Sequence, residues 1–147
     1  MTNMEPHTWK IEWDESMSVG IPEIDADHKR FVSLIDELNR AIVDRMGQAE
    51  IKIRLQNILD DATRHFAHEE KLFREWQYPD AEEHAKKHEN AIRALQAIQD
   101  SFMNYGLPSE WINVGLEVKD ILINHLLSED MEYARFYRNS VKGRAKQ

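Results

Sequence analysis

Hydrophobic residues recur at alternating spacings of three and four in four long segments of the chain, which is the pattern of amphipathic helices. Turn signals separate these segments at Met46-Gly47, Tyr78-Pro79-Asp80 and Gly106-Leu107-Pro108-Ser109. The spacing predicts helices over about residues 25–46, 49–76, 80–104 and 109–128. Because the connections are short, neighbouring helices are expected to be antiparallel. We therefore predict an all-α, up-down-up-down four-helix bundle.

The whole chain, 1–147, is interpreted as a single domain, since its length suits one hydrophobic core. Residues 1–21, which include Trp9 and Trp13, are predicted to form an N-terminal arm along the bundle of residues 22–130. Residues 131–147 are predicted to form a short last helix or tail, whose aromatic side chains can pack back onto the bundle.

Composition supports the helical interpretation and narrows the possible partners. With only 5 Gly and 4 Pro, the chain has little material for a turn-rich β fold. A net charge of -8 argues against nucleic acid or an anionic membrane surface as the main partner. The basic run Lys142–Lys146 is interpreted as a solvated end.

The chain contains no cysteine, which excludes disulfides, thiolate nucleophiles, iron–sulfur clusters and thiolate zinc sites. A metal would have to be bound by His, Asp or Glu. The N-terminus shows no secretory signal, and no apolar stretch is long enough for membrane insertion. We therefore expect a cytoplasmic protein. Separately, we expect a monomer.

Each predicted helix carries histidine or glutamate on an otherwise apolar seam, at His28, at His65 and Glu69, at His84 and His88, and at His125. A polar group in a dry core is costly unless it is paired or bound to a metal. A single core histidine is usually explained by a hydrogen bond. Here that explanation would have to hold on four helices at once.

The intruding side chains are expected to meet at one end of the bundle. His28, His84 and His88 lie near the starts of their predicted helices, whereas His65, Glu69 and His125 lie toward the ends. In an antiparallel bundle, the starts of two helices adjoin the ends of the other two. The polar residues would therefore share one layer, and the opposite half would keep an apolar seam.

Spacing within the helices favours metal binding at that layer. The pairs His65/Glu69 and His84/His88 are at i and i+4, so each pair shares one helix face. Asp130 follows His125 at i+5, which is a rotation of about 140° on a regular helix. Asp130 could join the layer only if the helix widens or ends near Ser128, or if the carboxylate reaches back.

The motifs resemble those of the hemerythrin family, and of the bacterial hemerythrins in particular. They are Gly20-Ile21-Pro22-Glu23-Ile24-Asp25-Ala26-Asp27-His28, His65-Phe66-Ala67-His68-Glu69-Glu70, Tyr78-Pro79, His84-Ala85-Lys86-Lys87-His88 and His125-Leu126-Leu127-Ser128-Glu129-Asp130. The resemblance runs from about Trp13 to Tyr133, nearly the whole chain.

The resemblance implies a non-heme di-iron centre. One iron would be bound by His84, His88 and His125, and the other by His28 and His65. Glu69 and Asp130 would bridge the two Fe ions (Fe2+/Fe3+) together with an oxo or hydroxo group. The second iron would keep one open position, where dioxygen binds reversibly. The implied function is oxygen transport, storage or delivery, without enzymatic activity.

Elementary chemistry agrees with this interpretation. Two ferrous ions carry four positive charges, and two carboxylates plus one hydroxide carry three negative ones, so the centre is nearly neutral in a dry pocket. Imidazole is a neutral ligand that suits iron. No histidine has a glutamate three residues before it, unlike the histidines of ferritin-like di-iron sites. With fewer carboxylates to stabilise high-valent iron, we expect dioxygen to stay reversibly bound.

Other residues receive secondary roles. The oxygen pocket is predicted to be walled by seam residues beside the ligands, namely Phe31, Phe66, Ile121, Leu122 and Leu126. His68 lies off the seam and is expected on a flank or behind the ligands. Glu70 is expected on a solvated acidic face, with no special role.

Two alternative functions stay open at this stage. An oxygen or redox sensor would need a partner that reads the change, and the chain has no second domain to do so. A di-iron enzyme acting on peroxide or nitric oxide would turn over steadily with an electron donor. A stable, reversible oxygen adduct would favour the carrier.

Overall fold

In the computed structural model, residues 11–102 and 108–141 are described, and the regular secondary structure within these ranges is helical throughout. The α-helices are α1 (Pro22–Val43), α2 (Gln48–Trp76), α3 (Ala81–Phe102), α4 (Pro108–Asn124) and α5 (Asp130–Phe136). A 3-10 turn at Glu15–Met17 precedes α1, and π-helical turns follow α4 at His125–Glu129 and α5 at Tyr137–Val141. The predicted all-α class is confirmed. Trp9 and the basic run Lys142–Lys146 lie outside the described residues.

The four long helices close into a ring. Helix α1 packs against α2 and α4, and α3 packs against the same two helices. Gln99, near the end of α3, donates a hydrogen bond of 2.7 Å to Gln56 in the first half of α2. His28 near the start of α1 meets His65 in the second half of α2. His84, near the start of α3, meets Asp130, which lies beyond the end of α4. These pairings confirm the antiparallel, up-down-up-down bundle.

Local sequence explains where the long helices begin and end. Pro22 occupies the first turn of α1, where its missing N–H costs no hydrogen bond and its fixed φ suits the helix. Helix α2 ends at Trp76, and the next residue, Gln77, is left-handed with a φ of 55°. Pro79 follows two residues later and cannot continue the helix.

The last helix is longer than predicted. We expected it to end near residue 128, but α4, α5 and the two π-helical turns form one uninterrupted helical segment through Val141. Between Gly115 and Gly143 the sequence contains no Gly or Pro, so no residue favours a break there. The extension carries Tyr133 back over the polar layer.

Two apolar clusters enclose the polar layer. The larger one fills the bundle half that was predicted to be apolar, with residues such as Ile35, Leu38, Ile58 and Val118. The smaller one, which the sequence analysis did not predict, caps the other end with Val19, Ile21, Ile24, Leu72, Phe73, Trp76, Tyr78, Tyr133 and Ala134. Residues 11–21 contribute to both clusters, so this part of the arm packs on the bundle.

Within residues 11–102 and 108–141, no helix combines the length and the apolar character that crossing a bilayer requires.

Candidate metal centre

The structure brings all seven predicted ligand side chains into one interior layer: His28, His65, Glu69, His84, His88, His125 and Asp130. None of them is more than 3% exposed. They come from α1, α2, α3, the π-helical turn and the start of α5. The i, i+4 pairs share a helix face as expected, and the antiparallel packing places those faces together.

The seven side chains form two overlapping groups, and within each group the potential ligand atoms lie within 4.8 Å of one another. We call them the three-histidine group, with His84, His88, His125, Glu69 and Asp130, and the two-histidine group, with His28, His65, Glu69 and Asp130. Both carboxylates belong to both groups. The sequence resemblance leads to the same division.

Glu69 directs one oxygen toward each group. Its Oε1 lies 2.9 Å from Nε2 of His88 in the three-histidine group. Its Oε2 lies 3.0 Å from Nε2 of His65 and 3.5 Å from Nε2 of His28, in the two-histidine group. A carboxylate in this orientation can bridge two cations through its two oxygens.

Asp130 is oriented in the same way. Its Oδ1 lies 3.0 Å from Nε2 of both His84 and His125. Its Oδ2 lies 3.1 Å from Nε2 of His28, on the two-histidine side. Both buried carboxylates therefore span the two groups.

The helix widens where Asp130 has to reach the layer. The Asp130 N–H donates to the carbonyl oxygen of His125, five residues back, which defines the π-helical turn His125–Glu129. Of the three possibilities that the sequence allowed, the structure adopts the widened helix. Single π-helical turns of this kind are frequent at functional sites.

Burial and charge oppose each other in setting the pKa values of the metal-free layer. Burial lowers the pKa of His65, but the Glu69 carboxylate and a hydrogen bond with Asp27 raise it more, to about 9. Burial likewise lowers the pKa of His125, while Asp130 raises it to about 10. Burial raises the pKa of Glu69, but the surrounding histidines hold it well below its ordinary value. Without metal, His65 and His125 are therefore protonated at neutral pH, and each faces a buried carboxylate.

Three further carboxylates contact the outer ring nitrogens of the histidines. Asp27 Oδ2 lies 2.9 Å from His65 Nδ1, and Glu70 Oε2 lies 2.9 Å from His88 Nδ1. Glu129 makes a short hydrogen bond to Nδ1 of His125. The expectation that Glu70 has no special role was wrong. Glu70 follows Glu69 on α2, and its contact with His88 depends on how α3 is rotated, which the sequence pattern did not specify.

His68 lies on the flank of the layer, as predicted. Its side chain is 29% exposed, and its Nδ1 lies 3.0 Å from the Asp27 oxygen that His65 also contacts.

Two aromatic residues also contact the layer: Tyr133, which was predicted only to pack back onto the bundle, and Phe73, which was not singled out. The Tyr133 hydroxyl, fully buried, donates a short hydrogen bond to Oε2 of Glu69. The Phe73 ring lies 5.1 Å from that of His84 and 5.0 Å from that of Tyr133. The contacts of Tyr133 depend on the added length of the last helix, whereas the contact between Phe73 and His84 depends on the packing of α2 against α3.

Of the predicted pocket residues, two contact ligand rings and two belong to the apolar packing of the bundle. Phe66 stacks on His88 with ring centroids 4.1 Å apart, and Phe31 meets His65 edge-on at 5.0 Å. Leu122 is buried in the larger apolar cluster, and Ile121 is only partly buried against it. The side chain of Leu126 lies outside the described part of the structure.

The donor chemistry of the layer fits metal ions of the first transition row. Neutral imidazole and carboxylate suit divalent iron, and no thiolate is available in the chain to select a softer metal. Among the described residues, Nδ1 of His28 and Nδ1 of His84 have no hydrogen-bond partner although they are buried. Their Nε2 atoms both point at Asp130.

A four-helix bundle with buried histidines and carboxylates in one layer is the architecture of a metal-binding protein. The sequence profile described as "Hemerythrin HHE cation binding domain" matches residues 19–137, and the chain belongs to the hemerythrin family. Membership in this family implies non-heme iron binding.

Curated bacteriohemerythrins are similar over most of their length. The protein of Campylobacter jejuni is 29% identical over 132 residues, which cover 88% of this chain and 96% of that protein. The protein of Pseudomonas aeruginosa is 29% identical over 135 residues, covering 89% and 84%. That of Stenotrophomonas maltophilia is 28% identical over 124 residues, covering 84% and 79%.

Proposed function

We propose that this protein holds two iron ions in the polar layer, joined by Glu69, Asp130 and an oxo or hydroxo group, and binds dioxygen reversibly there. It would act as an oxygen carrier, store or delivery protein. The observation that carries the proposal is that each buried carboxylate directs one oxygen to each histidine group.

The two groups differ by one donor, and this difference supports binding of an external ligand. The three-histidine group offers one more imidazole than the two-histidine group, while both share the same carboxylates. The two-histidine side thus offers one protein donor fewer, which an external ligand could replace. Ferrous iron, when bound, supplies the electrons that dioxygen binding requires.

The surrounding side chains keep that side dry. Phe31, only 1% exposed, covers His65, and its ring lies 6.5 Å from that of His28. Phe66, 3% exposed, packs against both Phe31 and His88. Exclusion of water favours retention of a bound oxygen ligand over its loss as peroxide.

We further propose that the protein is not an enzyme. The layer holds two carboxylates against five imidazoles, so it supplies little negative charge to stabilise high-valent iron. The relatives named bacteriohemerythrin are similar across nearly the whole chain, which supports a hemerythrin-type role. A cytoplasmic location and a monomeric state remain predictions.

The test is a cycle of oxygen binding. The protein is loaded anaerobically with ferrous iron, exposed to air and then returned to vacuum, while its visible spectrum is recorded. We expect two irons per chain and a charge-transfer band that appears and disappears over repeated cycles. Irreversible bleaching would contradict reversible oxygen binding. Steady consumption of peroxide or nitric oxide with an electron donor would indicate an enzyme instead of a carrier.

A further inference from the structure

We propose that Asp27 is the positioning residue of the two-histidine side, where it sets the orientation and metal affinity of His65 from outside the layer. This inference rests on the proposed function and assigns a task to a residue that is not itself a ligand. It follows from the distribution of carboxylates behind the five histidines.

Asp27 connects two helices at the edge of the layer. It precedes His28 on α1, and its Oδ2 faces Nδ1 of both His65 and His68 on α2, at 2.9 and 3.0 Å. Its Oδ1 also lies 3.4 Å from Arg64. The side chain of Asp27 is only 16% exposed, so these contacts are held within the packed surface rather than in free solvent.

The contact selects one form of the His65 ring. An ionised carboxylate only accepts hydrogen bonds, so Nδ1 of His65 must carry the proton that it donates to Asp27. The lone pair of a neutral His65 ring is then on Nε2, which faces Oε2 of Glu69 inside the layer. Outer partners of this kind fix the tautomer and raise the basicity of metal-binding histidines.

The carboxylates are distributed unequally between the two sides. The three-histidine group has two of them, since Glu70 contacts His88 and Glu129 contacts His125. In the two-histidine group, Nδ1 of His28 has no hydrogen-bond partner among the described residues. Within residues 11–102 and 108–141, Asp27 is therefore the one carboxylate hydrogen-bonded to an outer nitrogen on that side.

His68 holds Asp27 from the solvent side. Its Nε2 lies 3.5 Å from Oε2 of Glu23, one helical turn before Asp27 on α1. The order Glu23, His68, Asp27, His65 thus leads from the exposed surface to the layer. It explains why the flanking histidine identified in the sequence lies close to the centre without facing its interior.

The experiment is an anaerobic titration of the full chain with ferrous iron, combined with measurement of the midpoint potential. In Asp27→Asn we expect one iron to bind as in the wild type and the other about 10–100-fold more weakly. The midpoint potential should become more positive, because loss of an anionic partner favours the ferrous state. Asp27→Glu, which keeps the charge, should restore part of both effects.

Asp36→Asn is the matched control. Asp36 lies on the same helix and pairs with Arg40 on its surface, so the same substitution there should leave iron binding and potential unchanged. Circular dichroism of each variant checks that the bundle is folded. The Asp27→Asn effect should nearly vanish in a His65→Ala background, since Asp27 acts through that ring.

Each outcome has a distinct meaning. If the wild type binds two irons and Asp27→Asn matches it in affinity and potential, the inference is overturned while the proposed function stands. If Asp27→Asn weakens iron binding equally in the His65→Ala background, Asp27 does not act through His65 and the inference also fails. If the wild type does not bind two irons, the proposed function fails, and the inference that rests on it fails as well.

Discussion

Nε2 of His125 lies 3.0 Å from Oδ1 of Asp130, although the two residues are five positions apart on one helical segment. On a regular α-helix they would be about 140° apart. The π-helical turn His125–Glu129 removes this difference and places both side chains in the layer. Glu129, four residues after His125, shares its helix face and contacts its outer nitrogen. A local irregularity of the helix thus builds one corner of the centre.

Replacing Asp130 should affect both metal positions. Because Asp130 belongs to both groups, Asp130→Asn is expected to lower binding of both irons. His88→Ala removes a ligand from the three-histidine group alone and should lower iron content toward one per chain. Iron per chain, measured after desalting of the loaded protein, distinguishes the two. Equal metal content in the wild type and both variants would contradict the ligand assignment.

The metal-free protein should lose stability as the pH rises above neutrality. Burial lowers and Glu69 raises the pKa of His65 from 6.5 to about 9, and burial and Asp130 similarly leave that of His125 at about 10. The folded state therefore keeps protons that the unfolded state releases above 6.5. The stabilisation is complete below that pH and disappears as the pH passes through 9 and 10.

Thermal unfolding in a chelating buffer tests this dependence, with an expected fall in Tm between neutral and alkaline pH. Metal binding needs neutral imidazoles, so iron affinity should rise over the same interval and loading should release protons. In the double variant His65→Gln, His125→Gln the fall in Tm should be smaller. A Tm that rises with pH in the wild type would contradict the direction.

Tyr133→Phe should destabilise the protein through Glu69. The Tyr133 hydroxyl is a hydrogen-bond donor to a fully buried carboxylate, and a hydrogen bond to a charged group contributes about 1.5–3 kcal/mol. We expect a loss of that size in the free energy of unfolding of the metal-free protein, measured with urea. Tyr137→Phe, on a half-buried ring that packs against Trp76, is the control and should cost less.

Gly115 permits the close approach of α4 to α1. A Cβ atom added there would lie 1.9 Å from Oδ1 of the buried Asn39 and 3.1 Å from Cδ1 of Ile42. Gly115→Ala should therefore cost about 1–3 kcal/mol in the free energy of unfolding. Gly47→Ala, where an added Cβ meets nothing within 4 Å, should cost less. Equal unfolding free energies for the two variants would show that the helices adjust freely.

Much of the fold and of the layer was predictable because helical periodicity is a local property. Each residue advances about 100° around its helix, so the spacing of His84 and His88 decides that they share a face. The turn signals decide how many helices exist and which ends adjoin. Together these features predict the bundle and the end at which the polar residues gather.

Contacts between helices depend on how each helix is rotated and how far it continues, which spacing along one chain does not specify. The outer partners Asp27 of His65 and Glu70 of His88 arise in this way, as does the Tyr133 hydrogen bond to Glu69. The sequence alone determined that the five histidines and Glu69 enter the layer, whereas the entry of Asp130 depended on the widened turn. The tertiary structure decided which carboxylate oxygen faces which histidine, because that orientation depends on the packing of separate helices.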